Sequence, residues 1–231
     1  MPRPLFACAV ALLVLAPLRP VAAAEAGHNF AHWENDIAAY EARDRVSPPP
    51  RDAVLFIGSS TILFWTTLAA DFPGGPVIDR GFGGSEIIDA AHFADRLVIP
   101  LAPRAVFLRS GVNDIHAGKT AAQVFADFQE FVAVVHRGLP AAGIYYISMC
   151  PTIARWPEAE TNRQLNALVA EFVNRTPYLH YIDTWTMSLD AAGKPRPELF
   201  RPDGLHFNAA GYKLLAALVR PYVAEARGKT P

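Results

Sequence analysis

The chain has 231 residues, 52% of them hydrophobic and 19% charged, a balance that excludes intrinsic disorder and allows one domain with a full core. Lysine and arginine number 21 against 22 aspartates and glutamates, a formal charge of −1 without the basic excess of a nucleic-acid binder. Two cysteines are too few for a disulfide framework.

The first element is an expected export signal over residues 1–24. Arg3 opens it, Leu5 through Leu18 form an apolar run interrupted only by Pro17, and Ala22-Ala23-Ala24 supplies a small-residue cleavage site. The apolar run is 14 residues long, shorter than the roughly 20 that span a bilayer, so cleavage is expected rather than a stable membrane span. Residues 25–231 would then form the mature domain, secreted or periplasmic, with Cys150 as its one thiol. It would carry 19 basic against 22 acidic residues, a formal charge of −3.

Asn29 to Arg45 reads as an amphipathic helix with Phe30, Trp33, Ile37 and Tyr40 on one face, stopped by Pro48-Pro49-Pro50. Short continuous apolar runs follow at Val54–Ile57, Val77-Ile78, Ala105–Leu108, Ile144–Ile147 and Tyr181-Ile182. Such runs suit strands buried on both faces. Helical stretches lie between and after them, at Glu86–Val98, Ala121–Arg137, Glu158–Asn174 and Ala209 to about Glu225. Strands alternating with helices indicate βαβ units, hence an α/β fold: a single three-layer α/β/α domain, flavodoxin-like, with a five-stranded parallel sheet.

Ligands of open parallel sheets bind beyond the carboxyl ends of the strands. There the sequence places Gly58-Ser59-Ser60-Thr61, Arg80-Gly81-Phe82-Gly83-Gly84-Ser85, Ser110-Gly111-Val112-Asn113-Asp114 and Met149-Cys150-Pro151, with Asp203-Gly204-Leu205-His206 before the last helix. Together they supply the parts of acyl transfer. A serine hydroxyl becomes a nucleophile when an adjacent base takes its proton, and His206 can be that base near neutral pH. Asp203, three residues earlier, can fix the imidazole tautomer. The amides of Ser60 and of the Gly83-Gly84 turn, with the side-chain amide of Asn113, can receive the developing oxyanion.

These blocks resemble the SGNH, or GDSL-type, hydrolases, whose four blocks hold a serine, a glycine, an asparagine and an Asp-x-x-His pair in that order. The matching stretch runs from residue 58 to 206. The resemblance makes Ser60 the nucleophile, although Ser59 stands where the family usually has aspartate, and Arg80 stands where many relatives carry asparagine. It implies hydrolysis of a carboxylic ester through an acyl-serine intermediate, with an oxyanion hole of Ser60, Gly84 and Asn113, without metal or cofactor. Gly83 could equally supply the glycine amide. Ser59, Phe82, Gly83, Asp114, Arg155 and Trp156 are candidate pocket residues, and the bulk of Phe82, Arg155 and Trp156 would restrict the acyl group to short chains such as acetyl. The expected partner is a small-molecule, glycan or lipid ester. A lysophospholipase-like acylhydrolase and a noncatalytic glycan-binding module remain alternatives.

Several other patterns fail on inspection. Gly118-Lys119-Thr120 mimics the end of a phosphate-binding loop, but Asn113 stands where that motif requires glycine. Gly81-Phe82-Gly83 lacks its third glycine, since Glu86 occupies the position. Ile62 replaces the last glycine of the α/β-hydrolase elbow. His28 and His32, four apart, are expected on a solvated helix face, and Cys150 as a small buried hydrophobe.

Overall fold

A computed structural model describes residues 27–228; the expected export signal and its cleavage point lie outside them. Five strands, β1 (Val54–Gly58), β2 (Val77–Gly81), β3 (Ala105–Arg109), β4 (Gly143–Ile147) and β5 (Leu179–Ile182), form one parallel sheet in the order β2-β1-β3-β4-β5. All four pairings are parallel, with Val54 opposite both Val77 and Ala105. This is the flavodoxin-like order, whose direction of winding reverses between β1 and β3 and leaves a crevice there.

The apolar runs are continuous because helices cover both faces. Leu55, Ile57, Val106, Leu108, Ile144 and Tyr146 point to one side. There they meet α1 (Glu34–Val46), α4 (Ile87–His92), α5 (Ala94–Leu97), α7 (Ala121–Gly138) and α8 (Ala159–Val173). The alternate residues Val54, Phe56, Ala105, Phe107, Tyr145 and Ile147 point to the other. They pack under α2 (Ser60–Leu63), α3 (Leu68–Asp71) and α9 (Ala209–Ala226). Phe56, Phe107 and Phe72 stack there, with centroids 4.7 and 5.2 Å from Phe56.

Three expected elements differ in detail. The first helix opens as a 3₁₀ turn, Phe30–Trp33, before α1, so His28 lies outside it and its Nε2 donates to Asp89 Oδ1 at 2.8 Å rather than facing solvent. The helix expected over Glu86–Val98 breaks at Phe93, whose backbone (φ −91°, ψ 5°) leaves the helical region while its ring is buried against Phe82 and Phe30. The segment after Gly111 forms α6 (Val112–His116), too short to show a periodicity in sequence. Thr120, at the end of the false phosphate-binding motif, instead caps α7 in a reciprocal box with Gln123.

Candidate active site

The Ser59-Ser60 turn follows β1 directly. Gly58 has φ +150°, and a Cβ there would stand 2.1 Å from the Arg109 carbonyl oxygen, so only glycine lets the first and third strand ends approach this closely. The Ser59 amide donates to that same carbonyl at 3.3 Å, and the Ser59 carbonyl receives the amides of Ile62 and Leu63. Ser59 is thus the residue on which α2 turns, and Ser60 is set at its first position.

The opposite wall comes from a loop before α9. An isolated bridge joins Phe200 to Phe207, and the Arg201 amide donates to the His206 carbonyl at 2.7 Å, closing a turn that crosses Gly204 at φ +65°. Asn208 then caps α9 by accepting from the amides of Ala210 and Gly211. On this turn His206 Nδ1 is 2.7 Å from Asp203 Oδ2, and His206 Nε2 is 3.1 Å from Ser60 Oγ across 146 residues of sequence. The other Asp203 oxygen accepts from the amides of Leu205 and His206, each at 2.9 Å. The imidazole contact, followed by these two amides, holds the Asp203 carboxyl down at about 2, so it remains a hydrogen-bond acceptor throughout the neutral range. The Phe64 ring meets His206 edge-on at 5.0 Å and limits its rotation.

Asn113 lies on α6 at the third strand end, its side-chain amide donating to the Ser85 carbonyl at 3.0 Å. That bond fixes the amide plane and leaves a second N–H. Asp114 is buried and accepts from the Ile87 amide at 2.9 Å, tying the Asn113 helix to the start of α4. Burial pushes its carboxyl up to about 7, against the opposing pull of the Ile87 amide and Lys119. Among the described residues, no hydrogen bond within the protein uses the amides of Ser60, Gly83 or Gly84. A Cβ on Gly83 would meet Leu63 Cδ2 at 3.1 Å and Ser60 Cβ at 3.9 Å, and one on Gly84 would meet Trp33 at 3.3 Å.

Ser59, Ser60, Arg109, Asn113, Cys150 and His206 are among the residues that bound one cleft, enclosing a small cavity of about 30 Å³. Four candidate pocket residues stand elsewhere. Phe82 is buried in the core against Trp33 and Phe93, because its position on the turn faces inward. Asp114 is fully buried behind the cleft, with one carboxyl oxygen accepting from the Ile87 amide. Arg155 donates to His116 Nε2 at 2.7 Å, whose Nδ1 is held by Glu158 at the same distance. Trp156 lies under the Lys194 ammonium at 4.5 Å. Gly83 flanks Ser60 without bounding the cavity.

Val112 and Met149, from the blocks expected at the strand ends, also line the cleft, as do Arg109, Thr152 and Phe207, which no motif singled out. Arg109 left one sign, a charge ending the apolar run Ala105–Leu108. The Ser85 carbonyl left none, since a backbone acceptor has no side-chain signature.

The model of the GDSL-like lipase/acylhydrolase family matches residues 58–214. No curated protein sequence matches the chain significantly. Among solved structures, one assigned as a platelet activating factor from Streptococcus pneumonia is similar with a TM-score of 0.74 and 21% identity, covering 84% of this chain and 94% of that one. A GDSL-like lipase from Bacteroides thetaiotaomicron gives 0.70 and 18%, covering 86% and 100%. An acetylxylan esterase from Geobacillus stearothermophilus gives 0.59 and 16%, covering 77% and 94%. At these identities the structures speak for the fold alone.

Proposed function

The chain belongs to the GDSL-like lipase/acylhydrolase family, and from that premise we propose that it is an exported serine esterase acting on carboxylic esters of short acyl groups, acetyl among them. The observation that carries this reading is the unbroken hydrogen-bonded series Asp203–His206–Ser60 at 2.7 and 3.1 Å.

In the first half-reaction His206 Nε2 takes the Ser60 proton as Oγ attacks the ester carbonyl carbon. Asp203, ionised, stabilises the imidazolium and keeps Nδ1 as its donor. Negative charge gathers on the former carbonyl oxygen, received by the amides of Ser60 and Gly84 and the free N–H of Asn113. Collapse of this intermediate breaks the bond to the alcohol, which leaves with the proton from His206. Water, deprotonated by His206, then attacks the acyl-serine carbonyl, releasing the acid and restoring Ser60.

Short acyl groups are favoured by the size of the cavity, about 30 Å³ and bounded by Val112, Met149 and Cys150. Export rests on the 24-residue leader, and no helix among the described residues is long and apolar enough to cross a membrane.

The test is p-nitrophenyl acetate hydrolysis by protein expressed from the full-length gene, beside Ser60→Ala and Ser59→Ala. Turnover lost in Ser60→Ala and kept in Ser59→Ala is expected. Equal background rates in all three proteins would overturn the reading. Intact mass of the exported protein checks cleavage after Ala24.

A further inference from the structure

Arg109 ends β3 and is one of the residues that line the cleft, yet it is only 4% exposed and enters no ion pair among the described residues. Among the described residues no carboxylate lines the cleft; the nearby Asp203 is committed to His206. A buried guanidinium without an anion is costly, because it surrenders hydration and gains no opposite charge.

Its hydrogen bonds are lopsided. Nη1 donates to the Ser148 carbonyl and, at 3.3 Å, to the Thr184 hydroxyl, which secures the ends of β3 and β4. Nη2 reaches only the Cys150 sulfur, at 3.4 Å, and Nε has no partner among the described residues. The guanidinium also lies over the Phe207 ring, 5.7 Å from its centroid, so anchoring and stacking explain Nη1 and the flat face but give the Nε–Nη2 edge no oxygen acceptor. That edge presents two parallel N–H donors, the fork that matches a planar carboxylate.

We propose that Arg109 is a specificity-determining anion subsite of the cleft, and that the preferred ester carries a carboxylate on its short acyl group. This rests on the esterase reading for its reaction but not for its binding. The guanidinium takes the distal carboxylate through Nε and Nη2 while the ester carbonyl lies at Ser60. Arg109 moves no proton. A charged acyl end is thereby matched to a cavity too small for a long alkyl chain.

The experiment compares monomethyl succinate with methyl levulinate, the neutral analogue in which a methyl ketone replaces the carboxylate, by titrating released acid at constant pH. Wild-type protein should favour succinate in kcat/KM by about tenfold or more, the scale of a charged hydrogen-bonded contact. Arg109→Gln should bring the ratio near unity, and Arg109→Lys, with charge but no fork, should fall between. A wild-type ratio at or below one overturns the proposal, as does a wild-type ratio retained by Gln. Should Arg109→Gln fail to fold, an unchanged ratio in folded Arg109→Lys overturns it equally. If wild-type protein hydrolyses neither ester nor p-nitrophenyl acetate, the esterase reading falls. Calorimetric titration with succinate then decides: stoichiometric binding supports the anion subsite and no binding removes it.

Discussion

On one side of Ser60, Asp203 and His206 sit three residues apart on a turn, with side-chain exposures of 46% and 22%. On the other, Asn113, Ser85, Asp114 and Ile87 join two loops from opposite sides of the sheet's switch point, and Asp114 has no exposed surface. In the proposed mechanism the first group exchanges protons with substrate and water, which requires it to stay near solvent. The second, on the same proposal, receives charge without moving, and a buried frame fixes its donors in advance. Proton transfer and charge reception thus place opposite demands on burial, within one cleft.

The largest effect should come from removing the group both sides serve. Ser60→Ala should lower kcat/KM for p-nitrophenyl acetate by at least about ten-thousandfold. Asp203→Asn breaks the exposed side alone: it keeps the shape but offers Nδ1 the wrong partner, and up to about ten-thousandfold in kcat should be lost. Asn113→Ala breaks the buried side and should cost about a hundredfold to a thousandfold in kcat with little change in KM. A loss confined to KM would show that Asn113 binds ground-state substrate instead.

The smallest effect concerns stability and separates the two carboxyls by sign. Asp114 holds its proton up to about 7 in the folded protein against an ordinary value of 3.8. The folded state therefore binds more protons than the unfolded chain between these values, and stability should fall as pH rises through them. Asp114→Asn, neutral at every pH, should flatten that slope in denaturant titrations at pH 4, 5.5 and 7. Asp203 behaves oppositely: its contribution is present above 3.8 and is lost as pH falls through about 2. A slope unchanged by Asp114→Asn would mean that the carboxyl is ionised in its buried site.

The same contrast decides what could be read from sequence. Asp203 and His206 are local, so spacing alone suggested their contact, and it is found at 2.7 Å. The strands were legible because burial on both faces leaves unbroken apolar runs such as Val54–Ile57. The brackets around Asn113 were not, because they run through the Ser85 carbonyl and the Ile87 amide. Phe82 and Trp156 show the limit of bulk as a guide. Each follows a strand end, but one turns into the core and the other lies beneath Lys194. Proximity in sequence to a catalytic turn does not fix which way a side chain faces.

The most direct test of the central claim is to label the exported protein with a fluorophosphonate and map the adduct by peptide mass spectrometry. Modification of Ser60, abolished in His206→Ala and absent from Ser59, is the expected result. An adduct on Ser59, or none on either serine while ester turnover persists, would contradict it.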